Sequence, residues 1–415
     1  MVAPTTPVIK LHRVLQRTPS LRQHCRCLSI HISDILAARS PHHFDIVNDF
    51  ARWLTRVRCL SVHGGFEEKF NNPHTWALIR NLVVNMREVE HATISREWFG
   101  LYLGPIMRNI EFPKLRELNI HGISHSKKEI TILDPKKHRT ASFTALSISD
   151  YEESPGSTAL LIQWPTTLVH FEFGSFYNNP HIMDLPMFQS WLFIHRETLK
   201  NINIGYLSRA GSKRLFDATF FPNLESLQLS RWQMERPLQF TAEDANVLGP
   251  KVKLFGWDFS IYDQHNEGWD DFGENEESWI SELGKAAVAR QSSLKTIAIY
   301  FGPDHWGAGK KESYPWDRMD SVRDGIMRPN GMDLVYNRPC ISREEWLAER
   351  RGGTKAESIS LSDLNMQEAP ESASADESES ESDTLVMAEP GFYGRDIRWY
   401  FAPVQRPWNI SELRG

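Results

Sequence analysis

The chain has 415 residues, of which 40% are hydrophobic and 11% aromatic, so it can bury a large core. Its formal net charge is −6, but ten acidic residues and no Lys or Arg lie between Glu357 and Glu389, and 47 basic and 43 acidic residues remain outside that stretch. The rest of the chain therefore lacks the strong basic field that nucleic-acid binding requires.

The sequence shows neither a membrane-spanning segment nor a secretory signal. No stretch reaches the roughly 20 apolar residues of a membrane span, and the opening MVAPTTPVIKLHRVLQ lacks the uninterrupted apolar core of a secretory signal. The four cysteines form no CxxC pair and do not make a disulfide framework. We expect an intracellular protein, cytoplasmic or nuclear and not secreted, that binds neither membrane nor nucleic acid.

The first predicted element is an N-terminal cap, residues 1–24, whose amphipathic IKLHRVLQ covers the end of a repeat array. In residues 25–303 one pattern recurs about every 25 to 32 residues, with one longer step: apolar, two spacers, apolar, one spacer, apolar. LRELNI from Leu115 and LESLQL from Leu224 are the clearest copies. The ten copies begin at Cys25, Val57, Met86, Leu115, Phe143, Leu168, Leu199, Leu224, Val252 and Leu294.

This pattern predicts a short strand in each repeat. A strand alternates its side chains between two faces, so the second and third apolar residues point into a core that stacked repeats share. Helical spacing of apolar residues predicts helices between strands at 43–55, 183–198 and 277–290. The predicted fold is α/β, a leucine-rich-repeat horseshoe (solenoid). It is expected to be irregular because no repeat has the usual turn Asn or Cys three residues after its core.

The repeat pattern fades after residue 303. Residues 304–351 predict a C-terminal cap with a strand at 332–336 and a helix at 342–351, whose Ser342 and Glu345 form a capping-box pattern. Residues 352–389 predict a disordered acidic Ser/Glu linker, and 390–415 an aromatic C-terminal segment. Three linker serines have an acidic residue three positions later and are candidate phosphorylation sites, although an unmodified spacer is an equal alternative. They are Ser374, Ser378 and Ser380.

The LxxLxI cores, the variable repeat length and the terminal PWDR…DLVYN…EEW region resemble the repeat part of fungal F-box-type proteins over roughly residues 10–350. In that family the F-box binds the adaptor of a cullin-type ubiquitin ligase, and the leucine-rich repeats recruit the substrate. The resemblance therefore implies a non-enzymatic protein-binding module that recruits a substrate. No F-box pattern occurs ahead of Cys25, so the alternative is a leucine-rich-repeat scaffold or adaptor with no link to a ubiquitin ligase.

The repeat register also predicts which residues face outward from the concave side of the sheet. In the predicted register that face has five carboxylates and no Lys or Arg, so we expect a protein partner with basic or hydrogen-bonding groups. A merely solvated sheet face is the alternative. The predicted partner-binding residues are Glu88, Glu90, Glu117, Asn119, His121, His170, Glu172, Asn201, Asn203 and Gln228.

Metal binding and catalysis are not expected. Cys27, Cys59, His31 and His63 lie on neighbouring strands, but Cys27 and His31 are about 13 Å apart along one strand, too far to share one zinc ion. The sequence has no HExxH, GxSxG or GxGxxG motif, and GPDHWGAGKKES lacks the order of a phosphate-binding loop. We therefore predict no metal, no cofactor and no enzyme activity.

Overall fold

The fold is mixed α/β, built on one open sheet of eleven parallel strands that pair in sequence order from β1 to β11. The computed structural model describes residues 6–32, 42–67, 72–97, 100–124, 134–174, 181–207, 211–234, 238–260, 268–303 and 313–356. The strands are β1 Cys27–Ile32, β2 Cys59–Gly64, β3 His91–Ser95, β4 Glu117–Ile123, β5 Ala145–Tyr151, β6 His170–Phe173, β7 Asn201–Ile204, β8 Ser226–Ser230, β9 Leu254–Asp258, β10 Thr296–Tyr300 and β11 Asp333–Tyr336.

Helices connect most of the neighbouring strands. The described α-helices, of which α1 precedes β1 and α9 follows β11, are α1 Thr6–Arg17, α2 His42–Trp53, α3 Asn72–Asn85, α4 Leu103–Asn109, α5 Pro155–Ile162, α6 Leu185–Leu192, α7 Glu274–Ala289, α8 Pro315–Val322 and α9 Arg343–Ala356. In the described parts of the β4–β5, β7–β8 and β8–β9 connections, short 3-10 turns take the place of an α-helix. Within these described ranges, no helix is long and apolar enough to cross a bilayer.

The core lies between the sheet and the helices. In β4, Leu118 and Ile120 are buried, and Glu117 and His121 on the opposite face are partly exposed. Phe50 of α2 and Ile79 of α3 belong to the same buried cluster. Each strand therefore gives one face to a continuous apolar core, and from β1 to β8 the other face carries mostly polar side chains, as the alternation of the repeat pattern predicts.

The helices and the late strand expected from the sequence are present. The three helices predicted between strands correspond to α2, α6 with the 3-10 turn that follows it, and α7. The strand predicted at 332–336 is β11, which pairs with β10 and so extends the same ladder. At the start of α9, Glu345 N donates to Ser342 Oγ at 3.2 Å and Ser342 N donates to Glu345 Oε2 at 2.8 Å, which is the expected capping box.

One repeat has a different register from the predicted one. The sequence pattern places Met86, Val89 and His91 at its core positions, but the strand begins at His91 and its buried apolar residues are Ala92 and Ile94. The correct frame, VEHATI from Val89, is three residues later and puts an apolar residue at all three core positions. Met86 is itself buried just after α3, which made the wrong frame plausible.

Two predicted segments cannot be compared with the structure. The acidic linker, apart from the few residues that belong to α9, and the aromatic segment 390–415 lie outside the described residues. The same is true of Ser374, Ser378 and Ser380. The predicted domain boundaries in that region stay predictions.

Candidate functional site

The face of the sheet opposite the helices, called the polar sheet face, consists of three lanes of side chains that cross the strands. The first lane is Cys27, Cys59, His91, Glu117, Ala145, His170, Asn201, Ser226, Leu254, Thr296 and Asp333. The second is Ser29, Ser61, Thr93, Asn119, Ser147, Glu172, Asn203, Gln228, Gly256, Ala298 and Val335. The third is His31, His63, Ser95, His121, Ser149, Ser230, Asp258 and Tyr300.

Eight of the ten predicted residues lie on this face, and two do not. The exceptions are Glu88 and Glu90, which precede β3 because the repeat begins three residues later than predicted. Glu88 instead forms an exposed ion pair with Lys114 at 2.7 Å. Glu90 uses its main-chain oxygen to accept from Arg116 N and Glu117 N at the entry to β4. Their prediction as members of the face is therefore wrong.

The corrected face is rich in histidine as well as acidic. Its three lanes hold four carboxylates, five histidines and no Lys or Arg. His91, Thr93 and Ser95 replace the predicted Glu88, Glu90 and Ala92, and Asp333 is added by the eleventh strand. As predicted, the face has no Lys or Arg on the described strands. It has four carboxylates, one fewer than predicted.

Glu117 and its neighbours form the first polar cluster on the face. His91 donates through Nδ1 to Glu117 Oε2 at 2.9 Å, and Asn119 Nδ2 donates to Glu117 Oε1 at 3.0 Å. His170, two strands away in the same lane, has Asn201 Nδ2 2.6 Å from its Nδ1. Burial lowers the pKa of His170, and the charge of Glu117 opposes that change. These contacts place a histidine and an amide donor on the two oxygens of Glu117.

Glu172 is the second carboxylate of this region. Its Oε2 accepts from Ser147 Oγ at 3.1 Å and its Oε1 from Asn203 Nδ2 at 3.5 Å. Burial raises the pKa of Glu172, the hydroxyl of Ser147 lowers it, and the nearby charge of Glu117 raises it further. A cation bound nearby would stabilise the charged form of this partly buried carboxylate, which lies close to a second one.

Asp258 repeats this arrangement in the third lane. Burial raises the pKa of its carboxyl group, while Ser260 and Gln228 act in the opposite direction. Ser260 N donates to Oδ1 at 2.9 Å and Gln228 Nε2 to Oδ2 at 3.5 Å. Gln228, a predicted site residue, is therefore positioned as a hydrogen-bond donor to a partly buried acid.

Two histidine–serine pairs bridge neighbouring strands in the third lane. His63 Nδ1 is hydrogen-bonded to Ser95 Oγ, and His121 Nδ1 lies 2.7 Å from Ser149 Oγ. Burial lowers the pKa of His63, with the nearby rings of His31 and His121 acting in the same direction. Burial also lowers the pKa of His121, opposed by Asp150 and reinforced by Arg96.

These lowered pKa values predict that acid destabilises the fold. The unfolded chain binds protons on His63 and His121 near their ordinary pKa of 6.5, before the folded chain does. Their contribution to stability is complete above that value and is lost progressively as the pH falls from it through the lower pKa values of the folded chain. We expect the thermal midpoint to drop between pH 7.5 and 5.5, and the His63→Asn/His121→Asn double variant to drop less. An exposed-site control, His24→Asn, should behave like the wild type; equal drops in all three proteins would contradict the prediction.

Arg96 organises the carboxyl ends of the strands beside these pairs. Its guanidinium donates to Asp150 at 2.8 Å, to Glu152 at 3.3 Å and to Ser124 Oγ at 2.5 Å, and it is largely buried. Sequence reasoning missed this cluster because its members are 28 to 56 residues apart and are brought together only by the strand register.

Gly122 leaves room for the Arg96 side chain. Its φ is +84°, and a Cβ there would lie 2.2 Å from Arg96 Cγ. We expect Gly122→Ala to lower the free energy of unfolding by about 1–2 kcal/mol from the backbone alone, and by more if Arg96 is displaced. Gly325→Ala is the matched control, since nothing lies within 4 Å of an added Cβ. Urea unfolding of both variants measures this difference in stability. If the Gly122 variant were as stable as the Gly325 variant, the chain would not need glycine at position 122.

The cysteines show no metal-binding arrangement. Cys27 and Cys59 are register partners and free thiols, and burial together with the adjacent Cys27 raises the pKa of Cys59. Across the ranges that the structure covers, no group of three or more His, Cys, Asp and Glu side chains is placed to hold a metal ion. The histidines of the face are instead paired with serine, asparagine or glutamate neighbours.

Comparison with known proteins gives no family for the chain. No protein-family model matches it, and no curated protein does. The face must therefore be interpreted from its own geometry.

A separate cavity of about 880 Å³ opens on the helical side. It lies beside α6 and α7, where 3-10 turns replace helices in the intervening connections, and Phe193, Phe220 and Trp279 line it together with Arg214 and Glu243. Its lining mixes charges of both signs with aromatic rings. It belongs to the opposite side of the sheet from the residues predicted from the sequence.

Proposed function

We propose that this chain is a leucine-rich-repeat protein whose polar sheet face binds a protein partner without catalysing a reaction. The single observation that carries the proposal is that this face, from β1 to β8, carries carboxylates, histidines, serines and amides but no Lys or Arg. A partner with basic and hydrogen-bonding groups would complement such a face. An open surface of this size is suited to binding a macromolecule, whereas catalysis usually exploits a pocket that excludes water.

The stacking of similar units supports the repeat assignment. Consecutive strands pair in parallel with no register shift between the equivalent positions of the repeats, and each connection returns the chain to the same edge of the sheet. Strand–connection units of this length that share one core are typical of solenoids. The horseshoe curvature is part of the same proposal.

The biological role that we propose is substrate recruitment, in the manner of the F-box and leucine-rich-repeat proteins of cullin-type ubiquitin ligases. It rests on the resemblance of the repeat cores and of the PWDR…DLVYN…EEW region. The alternative is a scaffold or adaptor that never contacts a ligase.

Affinity purification from the native cells separates these possibilities. The tagged wild-type chain, a Glu117→Lys/Glu172→Lys variant and a Glu88→Lys control would be compared by quantitative mass spectrometry. We expect a set of proteins that the double variant loses and the control keeps, since Glu88 lies off the face. Ligase adaptor and cullin in the wild-type sample would support substrate recruitment, and their absence would favour the scaffold. Identical protein sets from all three chains would refute binding through this face.

A further inference from the structure

Strand β5 contributes only small side chains to the polar sheet face. Its face residues are Ala145, Ser147 and Ser149, all partly exposed. The neighbouring strands place larger side chains beside them, with Glu117 on β4 and Glu172 on β6. Since adjacent strands are about 4.8 Å apart, β4 and β6 are about 10 Å apart. The small residues of β5 therefore form the floor of a trough with a carboxylate on each side, called the β5 trough.

The donors around the β5 trough are already used on its carboxylates. Asn119 Nδ2 donates to Glu117, and Ser147 Oγ and Asn203 Nδ2 donate to Glu172. Reversing the Asn119 amide would set its oxygen against a carboxylate oxygen, so its orientation is fixed. A carboxylate can accept about four hydrogen bonds. Glu117 and Glu172 can therefore accept more hydrogen bonds than their neighbours donate, whereas the donors around them are already used.

A buried amide oxygen beside the β5 trough also lacks a hydrogen-bond donor among the described residues. Asn119 is only 7% exposed, and its Oδ1 has no hydrogen-bond partner among the described residues. An unpaired buried acceptor is costly, so a group that supplies N–H donors here would be favoured. This oxygen adds a third acceptor beside Glu117.

We propose that the β5 trough binds an arginine side chain of the partner, whose guanidinium donates to Glu117 and Glu172. This inference rests on the proposed function, because it names the group that the polar sheet face recognises. A guanidinium is planar and has five donors in a fixed geometry that can serve two carboxylates at once. A lysine ammonium has three donors on one atom and serves such a spread of acceptors less well. No cation of the face itself competes for the trough within the described strands.

The first test uses N-acetyl-arginine methylamide as the probe and the methyl group of Ala145 as the reporter. The full chain, labelled at alanine methyl groups, would be titrated and followed by NMR. We expect a saturable shift of the Ala145 signal with a dissociation constant on the order of 1 mM, and weaker binding of the lysine analogue. Glu117→Gln and Glu172→Gln should each weaken the probe about tenfold or more, and Glu88→Gln should not. No shift of the Ala145 methyl, or equal binding of both analogues, would overturn the proposal.

The second test separates this inference from the proposed function. Ala145→Leu fills the trough without changing any charge, so it should weaken a recovered partner while its thermal midpoint stays near that of the wild type. If Glu117→Lys/Glu172→Lys abolishes partner binding but Ala145→Leu does not weaken it, the face binds the partner and the arginine assignment is wrong. If the charge reversal leaves partner binding intact, both the proposed function and this inference fail.

Discussion

Glu276→Ala is expected to lower the free energy of unfolding by about 3–5 kcal/mol. Arg231, only 3% exposed, donates from Nε and Nη2 to Glu276 Oε1 at 3.1 and 2.7 Å. The other oxygen, Oε2, accepts from Gly273 N at 2.9 Å at the start of α7. Removing the carboxylate takes a hydrogen-bonded ion-pair partner from a buried guanidinium and also removes the cap of α7. The pair also ties the end of β8 to α7, 45 residues later.

The adjacent residue gives a matched control. Glu277 pairs with Arg318 at 2.6 Å, but both side chains are partly exposed, so Glu277→Ala should cost less than about 1 kcal/mol. Because removing one partner of a buried ion pair costs more than replacing both, replacing Arg231 and Glu276 together by methionine should recover much of the loss. Urea unfolding of the four proteins measures this. A Glu276→Ala variant no weaker than Glu277→Ala would show that the buried pair contributes little.

Trp257→Ala should destabilise the chain by about 3–5 kcal/mol. Trp257 on β9 is completely buried, with ring centroids 4.9 Å from Trp279 and 5.1 Å from Phe259. Alanine would leave a large cavity between the sheet and α7. The indole Nε1 of Trp257 has no hydrogen-bond partner within the described part of the chain.

That unpaired donor makes a second variant informative. Trp257→Phe creates a smaller cavity and also removes the unsatisfied N–H, so it should cost much less than Trp257→Ala. Phe220→Ala, at an aromatic residue that is 51% exposed, should change stability by about 1 kcal/mol or less. Thermal and urea unfolding would rank the three variants. If Trp257→Phe destabilised the chain as much as Trp257→Ala, the size of the cavity would not be the cause of the lost stability.

The strand positions follow from the sequence because each repeat carries its own signal. In LRELNI the core-facing residues Leu118 and Ile120 are apolar and the alternating residues Glu117 and Asn119 are polar, so a single frame satisfies the alternation. The same reasoning fails at Met86, where two frames compete and both contain buried residues. The capping box at Ser342 is equally local, and it is present. A pattern contained within about six residues therefore predicts the strand correctly in every repeat except the one at Met86.

The candidate site depends on contacts that no local pattern contains. Whether a histidine faces a serine on the next strand, as His121 faces Ser149, is decided by the register between strands 28 residues apart. One misplaced frame exchanged His91 for Glu88, which made the face more acidic and less histidine-rich than it is. The β5 trough emerges only when Ala145 is seen between Glu117 and His170.

The most direct test of the central claim is the dissociation constant of a purified partner, recovered as above, for the wild type, Glu117→Lys/Glu172→Lys and Glu88→Lys. Binding through the polar sheet face predicts that the double variant is weakened at least about 30-fold. It also predicts that Glu88→Lys stays within about twofold of the wild type, since Glu88 is an exposed residue off the face. Equal affinities of the double variant and the wild type would show that the partner binds elsewhere on the chain.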